Sequence, residues 1–287
     1  MKSTLLAIFA HPDDESFGTG GTLAKYAAHG TRVVLACATR GEVGEISDPA
    51  LAAREALGDV REAELRTACA ALGVHELRFL GYRDSGMVGT PENDDPRCYR
   101  RADPEAATRQ LVALIREIRP HVIITFDPSG GYGHPDHIAV SRYTSAAFDL
   151  AGDPGEFPEA GSAWQPQRLF YNVFPRSFLI KMRDRMRALG LDTSDFDRFD
   201  AEPIGYRDEQ ITAAVVVSAQ VDAKWAALHC HRTQFGPNNL FRRLPEAEMR
   251  AMISREYFAQ ARPAPVLSDV EGPANGARKP SDLFAGL

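Results

Sequence analysis

Two short stretches of this chain hold the residue types that activate water. The first is His11-Pro12-Asp13-Asp14-Glu15, four ionisable side chains in five positions. The second runs Asp127-Pro128-Ser129-Gly130-Gly131-Tyr132-Gly133-His134-Pro135-Asp136-His137, with two imidazoles and a carboxylate among its last four residues. Charges this dense are expensive to bury unless something pairs with them. His11 and Asp14 stand three apart across a turn that Pro12 tightens, so both can face one point. His137 comes from a distant part of the chain, as catalytic ligands gathered from different strand ends do. His134 and His137 are also three apart, and one can ligate while the other supports it from behind. Two imidazoles and a carboxylate, with a fourth position left to water, form the donor set of an open catalytic zinc site.

These stretches need elements to present them. Leu5 to Ala10 reads as a strand running straight into His11, and His121 to Phe126 as a strand running into Asp127. Arg32 to Ala38, Glu76 to Leu80, Arg168 to Val173 and Ile211 to Val217 read as further strands. Helical spacing covers Gly18 to His29, Asp59 to Leu72, Pro104 to Arg119, Pro135 to Leu150, Phe178 to Leu189, Ala219 to Cys230 and Pro245 to Gln260. Asp103 is placed to cap the helix that Pro104 opens. The alternation predicts an α/β fold: a Rossmann-like, mostly parallel sheet with helices on both faces, plus a smaller C-terminal α/β extension. In the common doubly wound order, the strands ending at Ala10 and Phe126 are neighbours at the point where the order reverses and a crevice opens. Both motifs then reach one place. The chain divides into a catalytic core over 1–175, an extension over 176–260 that completes the substrate pocket, and a flexible tail over 261–287. The connection from Gly81 to Asp103 is long for a simple link and is expected to form part of the substrate rim.

Composition narrows the partner. The 287 residues are 44% hydrophobic and 25% charged, with a formal net charge of −6. That is an ordinary globular profile with no general pull on nucleic acid or anionic lipid. No apolar run approaches the roughly 20 residues of a membrane span, and Leu5 to Ala10 is short for a secretion signal. Cys37, Cys69, Cys98 and Cys230 form no C-x-x-C pair and read as reduced thiols. The expectation is a cytoplasmic protein acting on a small molecule, with no nucleic-acid or membrane partner; the sequence is compatible with a homo-oligomer.

Taken together, Ala10-His11-Pro12-Asp13-Asp14-Glu15 and Gly131-Tyr132-Gly133-His134-Pro135-Asp136-His137 resemble the LmbE-like, PIG-L family of zinc-dependent N-acetylglucosaminyl deacetylases. Thr39-Arg40-Gly41-Glu42-Val43-Gly44-Glu45, Arg83-Asp84-Ser85-Gly86-Met87 and His231-Arg232-Thr233-Gln234 resemble its mycothiol and bacillithiol branch. The resemblance covers about residues 4 to 260. It implies His11, Asp14 and His137 as ligands of a zinc ion, in a site that also accepts iron(II). It implies Asp13 as general base, and His134 as general acid or electrostatic partner of the tetrahedral intermediate, oriented by Asp136. Tyr132 would donate to the oxyanion, and Arg61 and Asp84 would hold sugar hydroxyls. Zinc lowers the pKa of a bound water to roughly 7 and polarises the acetyl carbonyl, while an acid and a base move the protons. The implied substrate is an N-acetylglucosamine glycoside such as GlcNAc-malate or GlcNAc-inositol, an amino sugar of low-molecular-weight thiol biosynthesis. Arg232, Arg242 and Arg243 favour an anionic aglycone such as malate.

Other readings compete. A thiol S-conjugate amidase of the same family would carry the same core. A non-catalytic metal- or sugar-binding module would have no use for Asp13. Gly18-Thr19-Gly20-Gly21 hints at a dinucleotide turn, but that pattern needs glycine where Leu23 stands, and the preceding acidic cluster would repel a pyrophosphate. Taken singly, Arg61 reads as a solvated helix-face charge, Asp84 as a turn residue before Gly86, and Tyr132 as a loop aromatic on the sheet edge. His229 and His231, two apart on a helix, point to opposite sides and read as ordinary packing.

Overall fold

The structure, a computed structural model, describes residues 3–196, 204–264 and 280–287. Its strands are β1 (Thr4–Phe9), β2 (Arg32–Cys37), β3 (Glu76–Phe79), β4 (Val122–Phe126), β5 (Arg168–Val173), β6 (Ala213–Val216) and β7 (Arg255–Arg262). They form one seven-stranded sheet in the order β3-β2-β1-β4-β5-β7-β6. β1 to β5 are parallel, whereas β7 runs antiparallel to both β5 and β6. The order reverses between β1 and β4, so the loops after Phe9 and Phe126 open into the same crevice.

The helices are α1 (Asp14–Ala28), α2 (Leu57–Leu72), α3 (Pro104–Ile118), the single turn α4 (Gly130–Gly133), α5 (Pro135–Leu150), α6 (Arg176–Ala188), α7 (Val221–Cys230) and α8 (Glu246–Met252). Asp103 caps α3 by accepting from the Ala106 N–H at 2.8 Å. Every residue of β1 is buried, and its alternate side chains feed different cores. Leu5, Ala7 and Phe9 pack with Leu23, Leu65 and Ala227 of α1, α2 and α7. Leu6, Ile8 and Ala10 pack with Leu111, Ile115 and Val140 of α3 and α5. A strand covered on both faces must be apolar throughout, which is why Leu5 to Ala10 shows no alternation. A third cluster, including Phe178, Met182, Leu228 and Met249, lies within the extension. Among the described residues, no helix is long and apolar enough to cross a membrane.

Three expectations need correction. The first helix begins at Asp14 rather than Gly18, and the glycine-rich run lies inside it. A β-carbon at Gly18 would strike the Asn172 side chain, and one at Gly21 would strike Val217, so these glycines serve close packing. Next, Pro245 to Gln260 is not one helix: α8 ends at Met252, and β7 then inserts between β5 and β6. Met249, Ile253 and Tyr257 carry a helical spacing, but pairing on both edges decides the local structure. β6 and β7 extend the sheet of the core.

Third, the far end of the expected free tail is anchored. Leu283 is fully buried. Its N–H donates to the Tyr26 hydroxyl at 2.6 Å, and that hydroxyl donates to Asp282 at 2.8 Å. Arg168 donates to the carbonyls of Leu283 and Ala285 at 3.0 and 2.7 Å. Within the expected tail, residues 265–279 lie outside the described residues. Leu283→Ala is expected to lower the unfolding free energy by about 2–5 kcal/mol, the range for truncating a buried leucine. Urea denaturation checks this, and a tail hanging free would leave the midpoint unchanged.

Candidate metal and catalytic centre

The turn after β1 folds back on itself. Asp14 opens α1, and its Oδ2 accepts the N–H groups of Ala10 and His11 at 3.2 and 2.7 Å. Across the crevice, Pro135 occupies the first turn of α5 and fixes the helix start that presents His137. Three atoms converge as a result. His11 Nδ1 lies 3.2 Å from His137 Nε2 and 3.7 Å from Asp14 Oδ2, and His137 Nε2 lies 3.3 Å from Asp14 Oδ1.

The outer nitrogens of both rings have acceptors of their own. His11 Nε2 is 3.2 Å from Asp136 Oδ2 and 3.4 Å from Asp84 Oδ1. His137 Nδ1 faces the Gly130 carbonyl at 3.2 Å, and its ring stacks on Phe126 with centroids 3.9 Å apart. These partners assign a proton to each outer nitrogen and leave both inner nitrogens as lone pairs. Two lone pairs and a carboxylate then face one another in a buried space, an arrangement that calls for a cation. Burial disfavours charge on His11, yet Asp84, Asp136 and Asp14 outweigh it and raise the imidazole above its ordinary value, so the ring holds a proton where no cation takes its place. Against burial, His137 and His11 hold the Asp14 carboxyl well below its ordinary range. His11, Asp14 and His137 could therefore hold a divalent metal, with the outer partners orienting the rings.

Asp136 corrects one role that the resemblance implies. Its buried carboxylate meets His11 and the N–H and hydroxyl of Ser85, the N–H at 2.9 Å, rather than the His134 ring. Only its backbone N–H touches His134, donating to Nδ1 at 3.1 Å as the cap of α5. That bond leaves the His134 Nε2 to carry the ring's proton. Burial, with His11 and His137 close by, pushes the imidazole down to about 3, so it is a neutral donor. His134 is thereby better suited to stabilise an oxyanion than to act as a charged acid.

Asp13 sits beside this cluster in a strained conformation, φ 120° and ψ −30°. Such backbone costs about 1–3 kcal/mol and persists only where neighbours hold it. Burial lifts its carboxyl to about 6, against the pull of Arg61 beside it. Arg61 is buried, not solvated: it donates to the carbonyls of Gly41 and Pro12 at 3.0 and 2.6 Å and to Asp13 Oδ2 at 3.2 Å. Asp84 is both turn residue and site residue, since it accepts from the Gly86 N–H at 2.8 Å and the Val43 N–H at 3.3 Å while facing His11. Tyr132 is 50% exposed, on a turn whose Gly130, Gly131 and Gly133 all have positive φ, and its ring meets His137 edge-on at 5.0 Å.

Three contributors escaped the sequence reading: Ser85, Glu15 and His231. Ser85 arrives on the long connection after β3, which is packed rather than loose, with Asn93 donating to the carbonyls of Ser85 and Met87. Glu15 and His231 form a buried pair at 2.7 Å, so His231 is more than packing, while His229 is exposed. The signal for Ser85 and His231 was their place in two of the three supporting motifs. Two of the three arginines expected to attract an anionic aglycone are otherwise engaged. Arg243 lies 2.6 Å from Asp195, Arg242 donates to the Phe235 carbonyl, and Arg232 is exposed.

Comparison with known proteins places the chain in a family. The family model described as PIG-L, GlcNAc-PI de-N-acetylase, matches residues 6–148. The chain is 41% identical over 294 residues to a 1D-myo-inositol 2-acetamido-2-deoxy-alpha-D-glucopyranoside deacetylase of Geodermatophilus obscurus, covering 99% of this chain and 97% of the relative. The protein of the same name from Thermobifida fusca is 46% identical over 264 residues, covering 88% and 91%. Among solved structures, the N,N'-diacetylchitobiose deacetylase from Pyrococcus horikoshii shares the fold, with a TM-score of 0.64 at 19% identity over 90% of this chain and 83% of that one. The family match and these relatives define the class of the de-N-acetylases. Within it, the chain belongs to the PIG-L family, and it matches the inositol-glycoside deacetylases named above over most of its length.

His11→Ala and His137→Ala are expected to abolish metal retention through dialysis against a weak chelator. Asp136→Asn should keep the metal but weaken its affinity about 10- to 100-fold, the usual effect of losing a group that orients a ligand. Competition with a chromophoric chelator measures both, and unchanged affinity in the Asp136 variant would remove it from the support of His11.

Proposed function

We propose that this protein is a zinc-dependent deacetylase that removes the N-acetyl group from an N-acetylglucosamine glycoside of inositol, a step of mycothiol biosynthesis in the cytoplasm. The observation that carries the reading is the convergence of the His11 and His137 lone pairs with Asp14, beside the raised carboxylate of Asp13. Inositol as aglycone is supported by the names of the relatives, and malate is not. The four free cysteines accord with a reducing compartment.

A divalent ion held by His11, Asp14 and His137 would acidify water and polarise the acetyl carbonyl. Asp13 takes a proton from the water as its oxygen bonds to the acetyl carbon. Arg61 keeps the Asp13 carboxylate aimed. His134 and Tyr132 donate hydrogen bonds to the oxyanion as it develops. When the C–N bond breaks, Asp13 returns its proton to the departing nitrogen, releasing the free amine and acetic acid, which ionises to acetate in water. Burial raises the Asp13 carboxyl above its ordinary value, the direction that suits a group that must hold a proton and return it.

Amine release, followed with fluorescamine, tests the reading on GlcNAc-inositol, free GlcNAc, GlcNAc-malate and a thiol S-conjugate. The glycoside of inositol should be turned over with a kcat/KM at least about tenfold above the others, since a well-contacted extra ring is worth 1.4 kcal/mol or more. Equal efficiency on free GlcNAc would refute the aglycone assignment, and cleavage of S-conjugates alone would establish the amidase instead. Asp13→Asn should retain the metal and lose at least about 10²-fold in kcat. Near-normal kcat in that variant would move the base elsewhere.

A further inference from the structure

A ring of contacts closes around Asp13. Its N–H donates to Glu15 Oε2 at 3.0 Å, and its carboxylate meets Arg61 at 3.2 Å. Glu15 is fully buried, and its Oε1 faces His231 Nε2 at 2.7 Å and accepts from the Ser16 hydroxyl. Two residues after His231, the N–H and hydroxyl of Thr233 both donate to Glu64, at 2.9 and 2.6 Å. Glu64 and Arg61 stand three apart on α2, and so share one face of that helix. The path from Asp13 through Glu15, His231, Thr233, Glu64 and Arg61 returns to its start.

Of the groups that contact the Glu15 carboxylate among the described residues, Asp13 and Ser16 lie on the turn itself. Among the described residues, His231 makes the one hydrogen bond that ties that carboxylate to a part of the chain beyond the turn. We infer that His231 is a positioning residue for the deacetylation, holding the strained backbone of Asp13 through Glu15 so that the base stays aimed at the attacking water. The inference rests on the proposed role of Asp13. Freed from this tie, Asp13 can relax toward ordinary φ and carry its carboxylate away from the water, and a shift of about 1 Å costs on the order of 10²-fold in rate.

The test compares His231→Leu with His231→Gln, and uses His229→Leu, on an exposed ring two residues earlier, as control. His231→Leu should lower kcat by about 10- to 100-fold, leaving KM within about twofold and the metal content full. His231→Gln, whose amide can still donate to Glu15, should recover most of that loss, and His229→Leu should match the unaltered enzyme. In the metal-free protein, hydrogen exchange at the Asp13 amide should quicken by at least about tenfold in His231→Leu and not in His231→Gln. This second readout needs no substrate, so it decides the inference even if GlcNAc-inositol is not turned over. If His231→Leu does not fold, Glu15→Gln carries the same expectations. A lowered melting temperature with unchanged Asp13 exchange, and unchanged kcat per metal-loaded molecule, would overturn the inference.

Discussion

The crowding of two imidazole nitrogens and a carboxylate within 3.2–3.7 Å at the β1–β4 crevice sets what the rest of the structure must supply. Left alone, such a cluster would spread apart or protonate. It is held by what stands behind it: Asp136 and Asp84 on one ring, the Gly130 carbonyl and Phe126 on the other, and two backbone N–H groups on Asp14. Each of these needs its own support in turn. Ser85 fixes Asp136 and comes from the long connection after β3, which explains why that connection is packed against the core. Strength at the centre is therefore borrowed from elements that never reach it.

Much of the fold was legible because its strongest pattern is local. An apolar run followed by a polar, turn-forming cluster marks β1 and β4, and helical spacing with a proline or aspartate at its start marks α3 and α5. β7 was illegible for a specific reason. Met249, Ile253 and Tyr257 repeat at four residues, as a helix would, whereas the strand exists because β5 and β6 offer edges on either side. No window of sequence contains those partners. The burial of Leu283 was hidden in the same way, since its hydrogen-bond partner Tyr26 lies near the other end of the chain.

In the site, residue types were legible and pairings were not. His11, Asp13, Asp14, His134 and His137 stand out as chemistry because dense charge next to apolar strands is rare without a purpose. That the Asp136 carboxylate would serve His11 rather than His134 depends on the position of Ser85 and on the angle between β1 and α5. Arg61 shows the same limit. Nothing in the pattern of α2 separates an arginine facing water from one buried against Pro12 and Asp13.

The strand order carries a consequence for how the protein is made. On a ribosome, β5 emerges long before β7, its neighbour in the finished sheet, and β6 emerges with no partner at all. The Gly18–Thr22 part of α1 waits as well, because the Glu256 carboxylate that accepts from Gly21 and Thr22 lies on β7. Until Arg255–Arg262 is synthesised, the nascent chain presents an unpaired, largely apolar β5 edge, the kind of surface on which chains associate wrongly. Completion of the sheet is thus delayed until late in translation. Conditions that slow elongation between Val173 and Arg255 should cost yield of folded protein more than the same delay placed earlier.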